Sequence, residues 1–122
     1  LKPNRKKIHQ KFGGKCAYCG KILEDESGKF MQVDHVKPIR RHHITGKAKK
    51  PANENIENMF PSCPRCNNYK HTMNIDKFRE EIKLAVSRLE KNASFRNALR
   101  YNMIEIKEWD GIFWFEKFIT EE

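Results

Sequence analysis

Residues 55–70 read NIENMFPSCPRCNNYK, and the reading of that stretch decides the fold of this 122-residue chain. It contains Cys63-x-x-Cys66 with Pro64 directly behind the first cysteine, where proline suits the opening turn of a helix. A helix is therefore expected from just past Pro64 through His71. Two residues between cysteines let one knuckle give two thiolates to a tetrahedral metal. Working outward, Cys16-x-x-Cys19 is a second such knuckle, and the pair makes a closed four-cysteine site. Zn²⁺ prefers that soft ligand set, and no coordination position is left for substrate, so the expected role is structural. The alternative is two disulfides. No signal sequence accompanies the cysteines, however, and a bond within a C-x-x-C would pin little. Forty-three residues separate Cys19 from Cys63, well beyond the ~15–20 of a plain zinc ribbon, so something substantial is inserted.

Charge indicates a partner. Residues 1–50 hold 14 Lys/Arg against 4 Asp/Glu, whereas residues 51–122 hold 11 against 12. A basic surplus confined to one half is the footprint of a protein that meets a polyanion, because neutralised phosphates release counterions. Nucleic acid is the expected partner, and charge alone does not distinguish DNA from RNA. The longest apolar run, 112–115, is far below the ~18 residues of a membrane span, so no membrane association is expected. The N-terminus is too charged for a signal sequence, which makes the expected setting cytoplasmic.

Inside the insert, residues 33–38 read VDHVKP. Strand alternation over 30–36 puts Phe30, Gln32, Asp34 and Val36 on one face and Met31, Val33 and His35 on the other, with Pro38 ending the run. Residues 40–54 (RRHHITGKAKKPANE) read as a long exposed basic loop, and 56–60 as a short strand. Asp34-His35 at a strand end, Asn58 before the second knuckle, and Asn67 and Lys70 behind it form the most specific constellation in the chain. Over residues 16–72 this pattern, VDHVKP followed by NIENMFPSCPRCNNYK, resembles the zinc-knuckle branch of the HNH (His-Asn-His) endonucleases. The resemblance implies a two-stranded hairpin and a helix clasping one divalent cation, and metal-dependent hydrolysis of DNA.

The residue types suit that chemistry. Phosphodiester hydrolysis needs a nucleophilic water, a base, and positive charge on the phosphate and departing oxygen. His35, with a reference pKa of about 6.5, is the suitable general base. Asp34 with the amide oxygen of Asn67 would hold Mg²⁺ or Mn²⁺ with positions open for phosphate and water. Adjacent strand residues point oppositely, so β structure must end or bulge there for Asp34 and His35 to reach one phosphate. The resemblance implies the same roles for these three and a structural one for Asn58, whose amide would tie the loop from His35 to the second strand. The third motif position is Asn67 rather than the more frequent His, which puts the metal preference in doubt. His71, four residues on, is a candidate additional ligand. Lys37, Arg40, Arg41, Lys47, Lys49, Lys50 and Lys70 are candidate phosphate contacts, while His42, His43 and His9 read as surface residues. A non-catalytic, zinc-stapled nucleic-acid-binding module is the alternative. It has no need of a carboxylate in the middle of its basic half unless a cation sits beside it.

The expected fold class is α+β: a single domain over 1–122, with a basic arm or short helix (1–15), a zinc-stapled ββα-metal core (16–72), and supporting helices and a hairpin (73–122). Asn74 is a good N-cap for a helix whose Ile75, Phe78, Ile82, Ala85, Val86 and Leu89 make one apolar stripe. Residues 94–101 add helical turns. Asp110-Gly111 between 103–109 and 112–118 is a two-residue hairpin signal. Trp109, Phe113, Trp114, Phe115 and Phe118 are expected to pack on the stripe, and the C-terminal half is a candidate surface for a homodimer or larger complex.

Overall fold

The computed structural model describes residues 3–37 and 55–119, with side chains up to Phe118. Its elements in chain order are α1 (Arg5–Gln10), β1 (Gln32–His35), a 3-10 turn (Ile56–Asn58), β2 (Met59–Ser62), α2 (Pro64–Lys70), α3 (Ile75–Lys83), α4 (Ala85–Leu89), α5 (Ala93–Arg100) and α6 (Trp114–Ile119). Several starts are set by side-chain caps that satisfy an otherwise orphaned helix N–H. Asn4 accepts from the Lys7 N–H at 3.2 Å, Asn74 from Lys77 at 2.9 Å and Asn92 from Phe95 at 3.1 Å. For α2 the cap is the Cys63 thiol, 3.4 Å from the Cys66 N–H, with Pro64 in the first turn.

β1 and β2 pair antiparallel in unbroken register, Gln32 opposite Ser62 through His35 opposite Met59. All four residues of β2 are buried, since α1 packs against this strand and the first knuckle sits on it, Ala17 N–H donating to the Pro61 carbonyl at 2.8 Å. The stretch at 56–60 is thus a 3-10 turn capped by Asn55 followed by a strand that starts only at Met59, rather than one short strand. Among the described residues no helix is long and apolar enough to cross a membrane.

The core gathers Ile8 and Phe12 from the α1 region, the knuckle residues Cys16, Ala17 and Tyr18, Met31, Met59 and Phe60 around the hairpin, Phe78 of α3, and Phe113. Phe113 stacks on Phe78 with centroids 5.3 Å apart, and Phe115 meets Phe60 at 4.9 Å. Each such ring, fully buried, contributes roughly 1.5–3 kcal/mol. The stripe beginning at Ile75 is core only in its first half. Phe78 is fully buried, while Ala85 and Leu89 are exposed and the helix is interrupted at Leu84, whose carbonyl takes the Ser87 hydroxyl at 2.9 Å.

The expected C-terminal hairpin does not form. A tight Asp-Gly turn of that kind requires positive φ at both central residues. Here only Gly111 has it, at 79°, and Asp110 instead accepts the Ile112 N–H at 2.9 Å. Residues 103–113 carry no regular structure, and the chain then turns into α6. Glu116 reaches back to the Phe113 N–H at 2.9 Å, the return half of a capping box. Of the aromatics expected on the stripe, Phe113 does pack on Phe78 of α3, while Trp114 and Phe115 fold back onto the knuckle and the α1 region: their N–H groups donate to the Tyr18 and Ala17 carbonyls, and the Trp114 indole donates to the Phe12 carbonyl at 3.0 Å.

Arg79 fixes this return. Its guanidinium makes a two-point pair with Glu116 at 2.6 and 3.0 Å, donates to the Gly111 carbonyl, and lies over the Phe113 ring. Burial acts to raise the Glu116 pKa, but the Arg79 bonds, the Phe113 N–H and the Arg79 charge outweigh it and hold the carboxyl below its ordinary range. Arg79→Ala is expected to cost about 1–2 kcal/mol in urea unfolding. The pair's contribution is present above the ordinary Glu value and lost as pH falls through the lowered folded value. The wild-type and mutant stabilities should thus converge in acid.

Candidate active site and metal centre

The first knuckle is a tight turn closed by Gly20 N–H to the Cys16 carbonyl at 3.0 Å, with Gly20 at a φ of 76° that a side chain would strain. The second runs from the end of β2 into the first turn of α2. These turns bring the Sγ atoms of Cys16, Cys19, Cys63 and Cys66 within 4.8 Å of one another, with Cys19 and Cys63 3.9 Å apart. Four sulfurs about 2.3 Å from one tetrahedral ion lie about 3.8 Å from each other, so the cluster suits Zn²⁺. All four cysteines are free thiols, which replaces the two-disulfide alternative with a four-way cluster. Hydrogen bonds from the Cys19 and Cys66 thiols hold the Cys16 thiol below its ordinary pKa.

Within β1, Asp34 points inward and is 5% exposed. Its Oδ2 takes two donors, the Tyr18 hydroxyl and, at 3.1 Å, the ammonium of Lys70 from the end of α2. Burial pushes Asp34 above the usual carboxylate range, against the pull of Lys70 and Tyr18. A carboxylate offers hard oxygen, the donor type that fits a divalent cation. Burial, followed by the Asp34 charge, likewise drives the Tyr18 phenol upward, so its hydroxyl stays a donor.

His35 is the last residue of β1 and is half-buried. The strand ends at His35 without a bulge, so of the two expected alternatives it is termination that occurs at this pair. Lys70 spans the two positions, its ammonium also donating to the His35 carbonyl at 3.1 Å. Expected to reach toward phosphate, Lys70 is instead fully buried, an internal cation that locks α2 to the strand end.

Asn58 is buried and holds the segment that leaves β1. Its amide accepts from the Lys37 N–H and donates to the Lys37 carbonyl, both at 2.8 Å, and its own carbonyl takes the Val36 N–H at 3.0 Å. Asn58→Ala should lose about 1–3 kcal/mol, two hydrogen bonds with partly buried backbone groups left behind. A urea midpoint equal to wild type would contradict the tie.

Asn67 sits half-buried on α2, one turn before Lys70. His71 caps that helix at a φ of 49° and is exposed, its N–H donating to the Asn67 carbonyl at 2.9 Å. Lys37 is exposed. Arg40, Arg41, Lys47, Lys49 and Lys50 lie outside the described residues, as do His42 and His43. His9, read as a surface residue, is buried, with Nε2 2.8 Å from the Leu23 carbonyl.

Two participants escaped the sequence reading. Tyr18 carried a signal only in its place between the knuckle cysteines. Lys11 had none: its ammonium lies on the Ile56, Glu57 and Met59 carbonyls at 3.1–3.2 Å, clamping α1 to the turn that carries Asn58.

The family model described as HNH endonuclease matches residues 16–73. The protein named "SPbeta prophage-derived putative HNH endonuclease YoqL" of Bacillus subtilis (strain 168) is 29% identical over 102 residues, covering 80% of this chain and 36% of that protein. The chain thus spans about a third of the length of the curated relative it matches. No solved structure matches it significantly.

Proposed function

Because residues 16–73 match the family model described as HNH endonuclease, we propose that this chain hydrolyses phosphodiester bonds in DNA with a divalent cation at Asp34 and Asn67 and with His35 as general base. The observation that carries the proposal is the strand end itself, where Asp34 and His35 are held against α2 by Lys70 while Asn58 fixes the chain just beyond. A Mg²⁺ or Mn²⁺ ion bound there supplies positive charge to the scissile phosphate and the departing oxygen. The imidazole of His35 takes the proton of the attacking water. Asn58 fixes the backbone at Val36 and Lys37, which sets the direction in which His35 is presented. Zn²⁺ in the four-cysteine cluster is structural, and Lys37, Arg40, Arg41, Lys47, Lys49 and Lys50 supply affinity for the phosphate backbone without sequence preference.

One observation favours the alternative, a zinc-stapled binding module without catalysis. Asp34 already has Lys70 as a cationic partner, which gives a carboxylate in this basic half a structural use. Supercoiled plasmid DNA incubated with zinc-loaded protein and a panel of divalent metals separates the two. The nuclease converts it to nicked or linear forms with Mg²⁺ or Mn²⁺ and stops on addition of chelator. The binding module retards the plasmid and leaves it intact.

A further inference from the structure

Tyr18 occupies an unusual place. It lies inside the first knuckle, between two candidate zinc ligands, yet its hydroxyl reaches a carboxylate sixteen residues away on β1. The knuckle backbone around it is held from two sides: Ala17 N–H donates to Pro61 of β2 at 2.8 Å, and the Ala17 and Tyr18 carbonyls accept from Phe115 and Trp114 at 2.8 and 3.2 Å. The ring is 4% exposed and meets Phe78 and Phe113 edge-on, at 5.4 and 5.5 Å. A phenylalanine would fill that space equally well. What the hydroxyl adds is one hydrogen bond to one oxygen of Asp34.

That bond acts with Lys70 on the same atom, Oδ2. Two donors from two different elements, the knuckle and α2, fix the rotation of the carboxylate about its own axis. Groups that hydrogen-bond a metal-ligating carboxylate orient it, and their loss weakens metal affinity even though they never touch the ion.

We propose that Tyr18 is a positioning residue for the divalent-cation site, its hydroxyl holding Oδ2 of Asp34 and so fixing the orientation in which the carboxylate would meet the ion. The zinc knuckle thereby sets the geometry of the second metal site through one side chain. The proposal rests on the reading of Asp34 as a cation ligand.

The test is Mn²⁺ binding to the zinc-loaded chain, followed by the electron paramagnetic resonance signal of free Mn²⁺. Parent, Tyr18→Phe and Asp34→Asn are compared in the His35→Ala background with duplex DNA present, so that no turnover intervenes. Tyr18→Phe should keep one zinc per chain and the parent's DNA affinity while weakening Mn²⁺ binding roughly 10–100-fold, a change that a purely packing role would not produce. Asp34→Asn should weaken it at least as much. If Asp34→Asn loses Mn²⁺ but Tyr18→Phe binds as the parent does, the Tyr18 role is overturned and the cation reading stands. Failure of the parent to bind Mn²⁺, or parent-like binding by Asp34→Asn, overturns the cation reading and this proposal with it. A second measurement needs no change at Tyr18: its hydroxyl proton, shielded from solvent, should give a slowly exchanging NMR signal that shifts as Mg²⁺ is titrated. A signal unmoved at saturating Mg²⁺ also overturns the proposal.

Discussion

Zinc-free protein is expected to lose the fold of at least its first 72 residues. Metal in a four-cysteine cluster contributes apparent values of ~10–16 kcal/mol in small domains, comparable to or larger than the ~5–15 kcal/mol that separates a whole folded domain from its unfolded chain. The cluster here joins turns that are 43 residues apart in sequence. With no ion to oppose their repulsion, four thiolates brought within 4.8 Å of one another would push the knuckles apart. Release of the first knuckle also frees Ala17 from Pro61, Tyr18 from Asp34, and the backbone seat of α6 at Ala17 and Tyr18. One tightly held zinc per chain by metal analysis, and loss of the cooperative melt on treatment with a strong chelator, are the expected results. A folded, zinc-free sample with four freely titrating thiols would contradict them.

Local sequence carried the cysteine cluster and the helix starts. C-x-x-C spacing, proline at the head of α2 and the asparagine caps at Asn4, Asn74 and Asn92 act within a single turn, and neighbouring residues suffice to read them. The tie expected of Asn58 is present because its partner, Lys37, lies just past the strand end to which the motif assigns it. What escaped depends on contacts between distant elements. Lys70 reads as a phosphate contact on a basic chain, yet it is the buried partner of a carboxylate 36 positions away. The Asp110-Gly111 signal fails because the chain satisfies that corner with an Asp110 side-chain bond and the Arg79 guanidinium, neither visible in a two-residue turn motif. The apolar stripe from Ile75 continues past the point where anything packs on it, since periodicity records amphipathicity and not where a helix breaks.

Replacing His35 by alanine should produce the largest loss of activity. A positioned general base contributes typically 10²–10⁴-fold, all of it realised as the transition state forms, so zinc content, fold and DNA affinity should change little. The two motif residues differ sharply in what else they hold. Asp34→Ala leaves the Lys70 ammonium buried without its counter-charge, which costs about 3–5 kcal/mol, so this variant confounds loss of the cation with loss of the fold. Asp34→Asn keeps an oxygen that accepts from Tyr18 and Lys70 while removing the negative charge. It is expected to abolish cleavage through the divalent cation, with zinc retained.

As the proposed general base, His35 would perform chemistry on DNA rather than merely sit beside it. Single-turnover cleavage of plasmid DNA, at saturating Mg²⁺ or Mn²⁺ and with zinc in place, tests it most directly when wild type and His35→Ala are compared at matched DNA occupancy. Divalent-dependent cleavage by wild type is expected, with a fall of two orders of magnitude or more for His35→Ala and binding unchanged. Equal rates for the two proteins, or no cleavage by zinc-loaded wild type with any divalent metal, would contradict it.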